Sequence, residues 1–115
     1  MERLKGKKQI EELFVSGETV GAFPLRLVFL KTETTNKLGV SVGKRSFKSA
    51  VVRNKIKRQL RVCCKNHFLD FLKKLNHKYA LMVLYVGKEY PKPVELDKQF
   101  KLMVGRFGKK ILRDE

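Results

Sequence analysis

Basic side chains are concentrated between Lys44 and Arg61, in the stretch KRSFKSAVVRNKIKRQLR. This stretch holds eight Lys and Arg, and no Asp or Glu occurs anywhere between Glu33 and Asp70. Guanidinium groups donate paired hydrogen bonds to phosphate oxygens, and Lys ammonium groups act beside them as point charges. Because like charges in one segment repel each other, a block without acids predicts a polyanionic partner.

The same stretch predicts an amphipathic helix that begins near Ser49 and runs into the Cys63 region. At about 100° per residue, one apolar stripe that would pack on a sheet contains Val52, Ile56, Leu60 and Cys63. A cationic row beside it contains Arg53, Lys57 and Arg61, and the next row contains Asn54, Arg58 and Lys65. The Asn54 amide both donates and accepts hydrogen bonds, which suits a base edge, a sugar hydroxyl or a metal-bound water. A plain surface role or a contact at the helix start is the alternative.

The whole composition fits a folded domain that binds nucleic acid. The chain has 115 residues, a net charge of +16 and 43% hydrophobic residues, so it can bury a core despite its charge. No apolar run follows MERLKGKKQI, no segment has the ~20 apolar residues that span a bilayer, and the neighbouring Cys63 and Cys64 give no disulfide framework. We therefore expect a single domain over residues 1–115 in the reducing cytoplasm. An anionic membrane surface or an acidic protein is the alternative partner.

The sequence predicts no catalytic or metal-binding residue in the chain itself. Acidic residues are few and scattered, whereas a metal-dependent nuclease needs clustered carboxylates. Cys63, Cys64 and His67 are spaced to approach one metal ion, but a fourth ligand is missing and burial of Cys63 is favoured.

An α+β fold, one sheet with helices, is predicted to position the basic helix. Ile10, Leu13 and Phe14 have helical spacing, and Gly17 stands where a helix ends. The predicted elements are a helix over Lys7–Ser16, a link containing Thr19 and Val20, strands over Pro24–Leu30 and Leu38–Gly43 paired as an antiparallel hairpin, a central strand over Tyr79–Val86 and a helix over Val94–Leu112.

One strand has a nearly bare face, formed by Gly39, Ser41 and Gly43. Such a face admits either a ligand or a closely packed helix, and the sequence leaves both open. The strand–helix–strand unit that follows would by default cross over right-handed.

Two adjoining segments of the chain form a specific pattern: Ala50-Val51-x-Arg53-Asn54-Lys55-Ile56-Lys57-Arg58-x-Leu60-Arg61, preceded by Gly39-Val40-Ser41-Val42-x-Lys44-Arg45. This pattern closely resembles the signature of the bacterial ribonuclease P protein family. The opening Arg3-Leu4-Lys5, with Leu13-Phe14 and Gly17, is also similar, and the order of elements agrees across essentially the whole chain.

The resemblance implies an α-β-β-β-α-β-α fold with a left-handed βαβ crossover, against the right-handed default. It implies the protein subunit of a ribonucleoprotein endonuclease that removes the 5′ leader of precursor tRNA. The catalytic RNA would carry the catalytic centre and bind most of the magnesium. It and the precursor tRNA would be the partners, with no membrane and no obligate protein partner.

By position, the resemblance assigns RNA contacts to Lys44, Arg45, Lys48, Arg53, Asn54, Lys55, Lys57, Arg58 and Arg61. It assigns a cleft for the leader to Ile10, Phe14, Val28 and Ser41, together with Gly39 and Gly43. Lys55 stands where the family usually has Arg, and Val62 where Glu or Gln is common. Ile10 and Val28 stand where aromatic residues are frequent, which leaves Phe14 or apolar packing to hold the leader.

Two other functions compete with this one. A non-catalytic RNA-binding module, such as a ribosomal protein or an RNA chaperone, would show the same charge pattern. A DNA-binding helix in the major groove is disfavoured, because here a strand precedes the helix rather than a turn from another helix.

Overall fold

The computed structural model describes residues 2–115, which form one mixed sheet with helices on both faces. In chain order the elements are β1 (Glu2–Arg3), α1 (Lys7–Ser16), β2 (Glu18–Ala22), β3 (Leu25–Thr32), β4 (Lys37–Val42), α2 (Ala50–His67), α3 (Leu69–Lys73), β5 (Lys78–Tyr85) and α4 (Pro93–Ile111). The α+β class and the predicted order are confirmed. The short β1 is added to them, and α3 is the continuation or restart after Asn66 that the spacing of Phe68, Phe71, Leu72 and Leu75 predicts. No helix among these residues is both long and apolar enough to cross a membrane.

The strand order is β1-β4-β5-β3-β2, so β5 lies between β3 and β4. The predicted antiparallel hairpin between the strands over Pro24–Leu30 and Leu38–Gly43 is therefore wrong. β3 instead pairs antiparallel with β2, which occupies the segment around Thr19 and Val20 that the sequence suggested was a link. The physical reason is that β5 is apolar on both faces, and a central position between two strands buries the most of its apolar surface.

Strands β4 and β5 are parallel neighbours, with Val42 opposite Tyr85. Helices α2 and α3 connect them, which places α2 across one face of the sheet. The left-handed sense of this crossover stays a prediction from the resemblance.

Two apolar clusters fill the two faces of the sheet. The larger lies under α2, α3 and α4, where Ile56, Leu60 and Phe107 are fully buried. The smaller contains Leu4, Leu13, Val28, Ala80 and Met82. Helix α1 supplies Leu13 to this second cluster, so α1 covers this face of the sheet.

Capping residues set the start of α2 and the end of α1. The Ser49 Oγ accepts a hydrogen bond of 3.3 Å from the Val52 N–H and so fixes the start of α2. The Gly17 N–H donates to the Leu13 carbonyl oxygen at 2.8 Å, which ends α1 where the sequence predicted. A Cβ on Gly17 would overlap that same oxygen.

Two glycines allow a direct test of the turn that orients α1. Gly6, between β1 and α1, has φ +95°, whereas Gly105 lies within α4. Apart from the adjacent residues and the backbone of α4 itself, no described atom lies within 4 Å of a Cβ built on either glycine. We expect Gly6→Ala to lower the free energy of unfolding by about 1–2 kcal/mol, because an L-residue is strained at that φ. We expect Gly105→Ala to raise it by about 0.5–1 kcal/mol through helix propensity. Urea denaturation measures both, and shifts of the same sign would contradict the role of Gly6.

Candidate nucleic-acid interface

Helix α2 separates its apolar and cationic residues as its periodicity predicts. Ile56, Leu60 and Cys63 are buried against the sheet, Cys64 is buried as well, and Val52 is half-buried. The residues exposed on the other side include Asn54, Lys55, Arg58 and Arg61, whereas Lys57 is half-buried. The helix therefore presents to solvent a face with no carboxylate of its own.

A basic loop continues this face at the start of α2. The loop joins β4 to α2 over residues 43–49, and its side chains Lys44, Arg45 and Lys48 are all exposed. Phe47 is half-buried and packs against the Tyr85 ring, with 6.0 Å between the ring centroids. This aromatic contact ties the loop to the end of β5, so its three cations lie beside the helix.

Arg53 has a structural role that the sequence reasoning missed. Its Nη1 donates hydrogen bonds to the carbonyl oxygens of Phe47, at 2.7 Å, and Lys48, at 2.8 Å. These bonds fold the basic loop back onto the first turn of α2. Because Nη1 is engaged, only the remaining donors of Arg53 are available to RNA. A single arginine within a cationic row gives no sign of this, since the acceptors are main-chain atoms of a loop.

The residues assigned to the leader cleft lie at different depths. Phe14 is 48% exposed, Ile10 and Ser41 are half-buried, and Val28 is only 3% exposed. Val28 lies in the same cluster as Leu13 of α1, so it supports the cleft from beneath its surface. Phe14 therefore presents the accessible aromatic ring of this set.

The bare face of β4 is filled differently at its three positions. A Cβ on Gly39 would lie 3.0 Å from the Met82 methyl carbon and 3.4 Å from the Leu4 Cβ, so close packing explains that glycine. Gly43 lies beyond the strand, with no described atom within 4 Å of such a Cβ. Of the three, Ser41 places a polar side chain on the sheet face beside Leu84, and Arg26 lies on the far side of Leu84 on β3.

His67 contacts α4, and the two cysteines are buried in the core. The His67 Nε2 lies 2.6 Å from the Asp97 Oδ1, which links the end of α2 to α4. Within residues 3–115, no three His, Cys, Asp or Glu side chains cluster so that they could hold a metal ion. Burial, aided by Asp97, raises the pKa of Cys63 to about 11, and burial raises that of Cys64 to about 12. Both thiols are therefore protonated at neutral pH and weakly reactive.

Two surface cavities differ in their charge. A cavity of about 770 Å³ beside Tyr90 is lined by both lysines and glutamates. A cavity of about 430 Å³ between α1, β4 and α2 is lined by Arg3, Arg61 and Lys65, and none of its described lining residues is acidic. The sequence assignment omitted Arg3 and Lys65. Two sequence features could have predicted them as part of the cationic surface. Lys65 lies in the acid-free region, and Arg3 lies in the opening motif.

The architecture is that of the ribonuclease P proteins whose structures are solved. The protein from Staphylococcus aureus superposes with a TM-score of 0.74 at 20% identity, covering 91% of this chain and 94% of that chain. The protein from Thermotoga maritima gives 0.71 at 19% identity, covering 90% and 96%. At these identities the likeness defines the class of fold, an α+β domain with a basic helix across its sheet.

The sequence matches the family model described as Ribonuclease P over residues 1–108, and the chain belongs to that family. A relative from Lactobacillus delbrueckii subsp. bulgaricus, the "Ribonuclease P protein component", is 36% identical over 61 residues, which are 51% of this chain and 50% of that protein. The chain thus spans about half the length of the curated relatives it matches. The family resemblance inferred from the signature is confirmed.

Replacing Arg53 and Arg58 separately distinguishes a structural cation from an exposed one on the same helix. Arg53→Ala removes two hydrogen bonds to main-chain carbonyls, and we expect it to lower the free energy of unfolding by about 1–2 kcal/mol. Arg58→Ala, at an exposed position, should change it by less than about 0.5 kcal/mol. Chemical denaturation measures both values. Equal effects would show that the Arg53 contacts do not stabilise the loop.

The buried thiols predict a loss of stability at alkaline pH. Their folded-state pKa values, about 11 and 12, lie above the ordinary value of 9.0, so the unfolded chain releases these protons first. This contribution is complete below pH 9 and is lost as the pH rises toward 11–12. The free energy of unfolding should therefore fall between pH 9 and pH 10. This window lies below the ordinary tyrosine pKa of 10.0, so the thiols dominate the change.

The control for this pH effect is the double variant Cys63→Ala/Cys64→Ala. It should be less stable at neutral pH and should show a flatter decline between pH 9 and pH 10. An unchanged slope would mean that other groups cause the decline.

Proposed function

We propose that this chain is the protein subunit of a ribonuclease P ribonucleoprotein. It would bind the catalytic RNA and the 5′ leader of precursor tRNA, and so support endonucleolytic removal of the leader. The observation that carries this proposal is the carboxylate-free cationic face of α2 and its loop, in a chain of the Ribonuclease P family. The proposed RNA contacts are Lys44, Arg45, Lys48, Arg53, Asn54, Lys55, Lys57, Arg58 and Arg61.

Phosphate binding explains how this face would work. Arg58 and Arg61 are exposed and each can direct two donors to one phosphate, while Lys55 supplies a point charge. Each phosphate that is neutralised releases condensed counterions, which makes affinity fall steeply with salt. Asn54 lies among these cations with both a donor and an acceptor, so it suits a sugar or base edge better than a phosphate.

The catalytic centre is proposed to lie in the RNA subunit, together with most of the magnesium. The interface of this chain has no acid between Glu33 and Asp70, so its side chains do not fit a magnesium ion and no step is assigned to one. The protein would instead act electrostatically. Its cations would reduce the repulsion between the two RNA backbones, a repulsion that magnesium alone must otherwise screen.

The cleft between α1 and the sheet is proposed to hold the leader as a single strand. Phe14 offers an exposed aromatic ring, and stacking of one base on such a ring contributes about 1–3 kcal/mol. Ser41 offers a hydroxyl on the sheet side, while Ile10 and the underlying Val28 supply apolar surface. We place this activity in the cytoplasm, with no membrane and no obligate protein partner.

Reconstitution with a bacterial ribonuclease P RNA at low magnesium tests the proposal. Protein and RNA together should mature a precursor tRNA under conditions in which the RNA alone is slow, and the protein alone should cleave nothing. Cleavage by the protein alone would refute an RNA-based catalytic centre. Tight RNA binding without any stimulation would favour the non-catalytic RNA-binding module instead.

Variants on α2 test the phosphate contacts in the same system. Arg58→Ala should weaken RNA binding and reduce the slope of log K against log salt by about 1, because one phosphate contact is lost. Arg53→Ala should also weaken binding and flatten the slope. The matched control is Lys101→Ala, an exposed position on α4 that should change neither quantity.

A further inference from the structure

The cationic cavity between α1, the edge of β4 and α2 forms a further binding site. We infer that it binds a phosphodiester of an RNA strand, with Arg3, Arg61 and Lys65 as the cationic ligands. This inference rests on the proposed function, since the strand would belong to the catalytic RNA or to the precursor tRNA. It extends the interface beyond the exposed row of α2 to two cations that the family signature did not place there.

The charges of the cavity are convergent and uncompensated. Arg61 and Lys65 lie one turn apart on α2, and Arg3 comes from β1, so two distant parts of the chain place like charges around one cavity. Like charges at this helical spacing destabilise a helix by a few tenths of a kcal/mol. Among residues 3–115, none of the three has an ion-pair partner within 4.0 Å. A phosphate between them would turn this repulsion into attraction.

The edge of β4 adds a main-chain donor to the cavity. Strand β1 pairs with β4 only at Lys37 and Leu38, and the Leu4 N–H donates to the Leu38 carbonyl oxygen at 3.0 Å. Since strand residues alternate in direction, the Val40 N–H points to the same edge as Leu38, beyond the end of this ladder. Val40 lines the cavity. An N–H at an unpaired strand edge donates readily to a phosphate oxygen.

The size and floor of the cavity suit a sugar–phosphate unit. Its volume is about 430 Å³, and its floor contains the apolar side chains of Leu4, Ile10 and Met82. Ile10 belongs to the proposed leader cleft and Arg61 to the proposed RNA face of α2. The cavity therefore joins the two surfaces across the edge of the sheet, so a strand that leaves the cleft would reach α2 here.

A protein strand added to the β4 edge is the rival occupant. The three cations around a short free edge favour RNA, because an added peptide would leave them without counter-charges. The RNA affinity of a variant without these cations distinguishes an RNA strand from a protein strand at this site.

The decisive comparison uses two double variants with the same loss of charge. Arg3→Ala/Lys65→Ala removes two cations of the cavity, and Arg113→Ala/Lys101→Ala removes two exposed cations outside it. Dissociation constants would be measured at several salt concentrations for the catalytic RNA, for precursor tRNA and for tRNA without a leader. We expect the cavity variant to lose about tenfold in affinity for at least one RNA, with a salt slope lower by about 1–2. The control should lose less than about twofold.

The RNA that loses affinity identifies the source of the phosphodiester. A loss confined to precursor tRNA assigns it to the leader, and a loss for the catalytic RNA assigns it to that subunit. The charge-conserving variant Arg3→Lys/Lys65→Arg should retain most of the affinity, which excludes a simple loss of structure.

Equal losses in the two double variants would overturn the inference, because only the total charge would then matter. Unchanged affinity for every RNA would also overturn it and would leave the β4 edge to a protein strand. Failure of the proposed function looks different, since the unaltered protein would then give no stimulation of the catalytic RNA. If the unaltered protein stimulates the catalytic RNA but the two double variants lose equal affinity, only the inference about the cavity is refuted and the proposed function stands.

Discussion

Burial of the apolar stripe of α2 against the sheet is the interaction on which the functional surface depends. Ile56 and Leu60 are completely buried, and burial of such side chains contributes about 1.5–3 kcal/mol each. Repulsion between neighbouring cations on the same helix amounts to a few tenths of a kcal/mol per pair. The apolar term therefore wins, and it sets the rotation of the helix about its axis. Once that rotation is set, the cationic rows lie on the side of the helix that is exposed to solvent.

Strand β5 makes the second contribution, because it gives the sheet two different faces. Its side chains are buried on both sides, and it separates β3 from β4. One face of the sheet is covered by α2, α3 and α4 and forms the main core. The other face is covered by α1, whose Leu13 packs over Val28, while Phe14 of the same helix is 48% exposed. The two faces of the sheet therefore differ, and the larger core lies under α2, α3 and α4.

Arginines in one short helix perform different tasks according to what surrounds them. Arg53 meets the carbonyl oxygens of Phe47 and Lys48 and orders a loop, whereas Arg58 meets only solvent. Arg61 lines the cavity that Arg3 of β1 also lines. The cationic surface is therefore assembled from three elements, and a single helix does not account for it. Such a surface is the basis for the proposed binding of an extended nucleic acid.

The sequence by itself determined the local elements and the protein family. Periodicity placed α1 over Lys7–Ser16 and the buried stripe of α2, because helical spacing is a property of neighbouring residues. The acid-free block predicted a polyanionic partner, and the signature indicated the Ribonuclease P family, to which the family match assigns the chain.

Only the tertiary structure decided which strands are neighbours. The order β4-β5-β3 follows from how a doubly apolar strand is covered, a choice among distant segments that no local pattern encodes. The same applies to the depth of Val28, the loop contacts of Arg53 and the meeting of Arg3 with Lys65. Each depends on atoms that approach only when the chain has folded, because packing joins residues that the sequence keeps far apart.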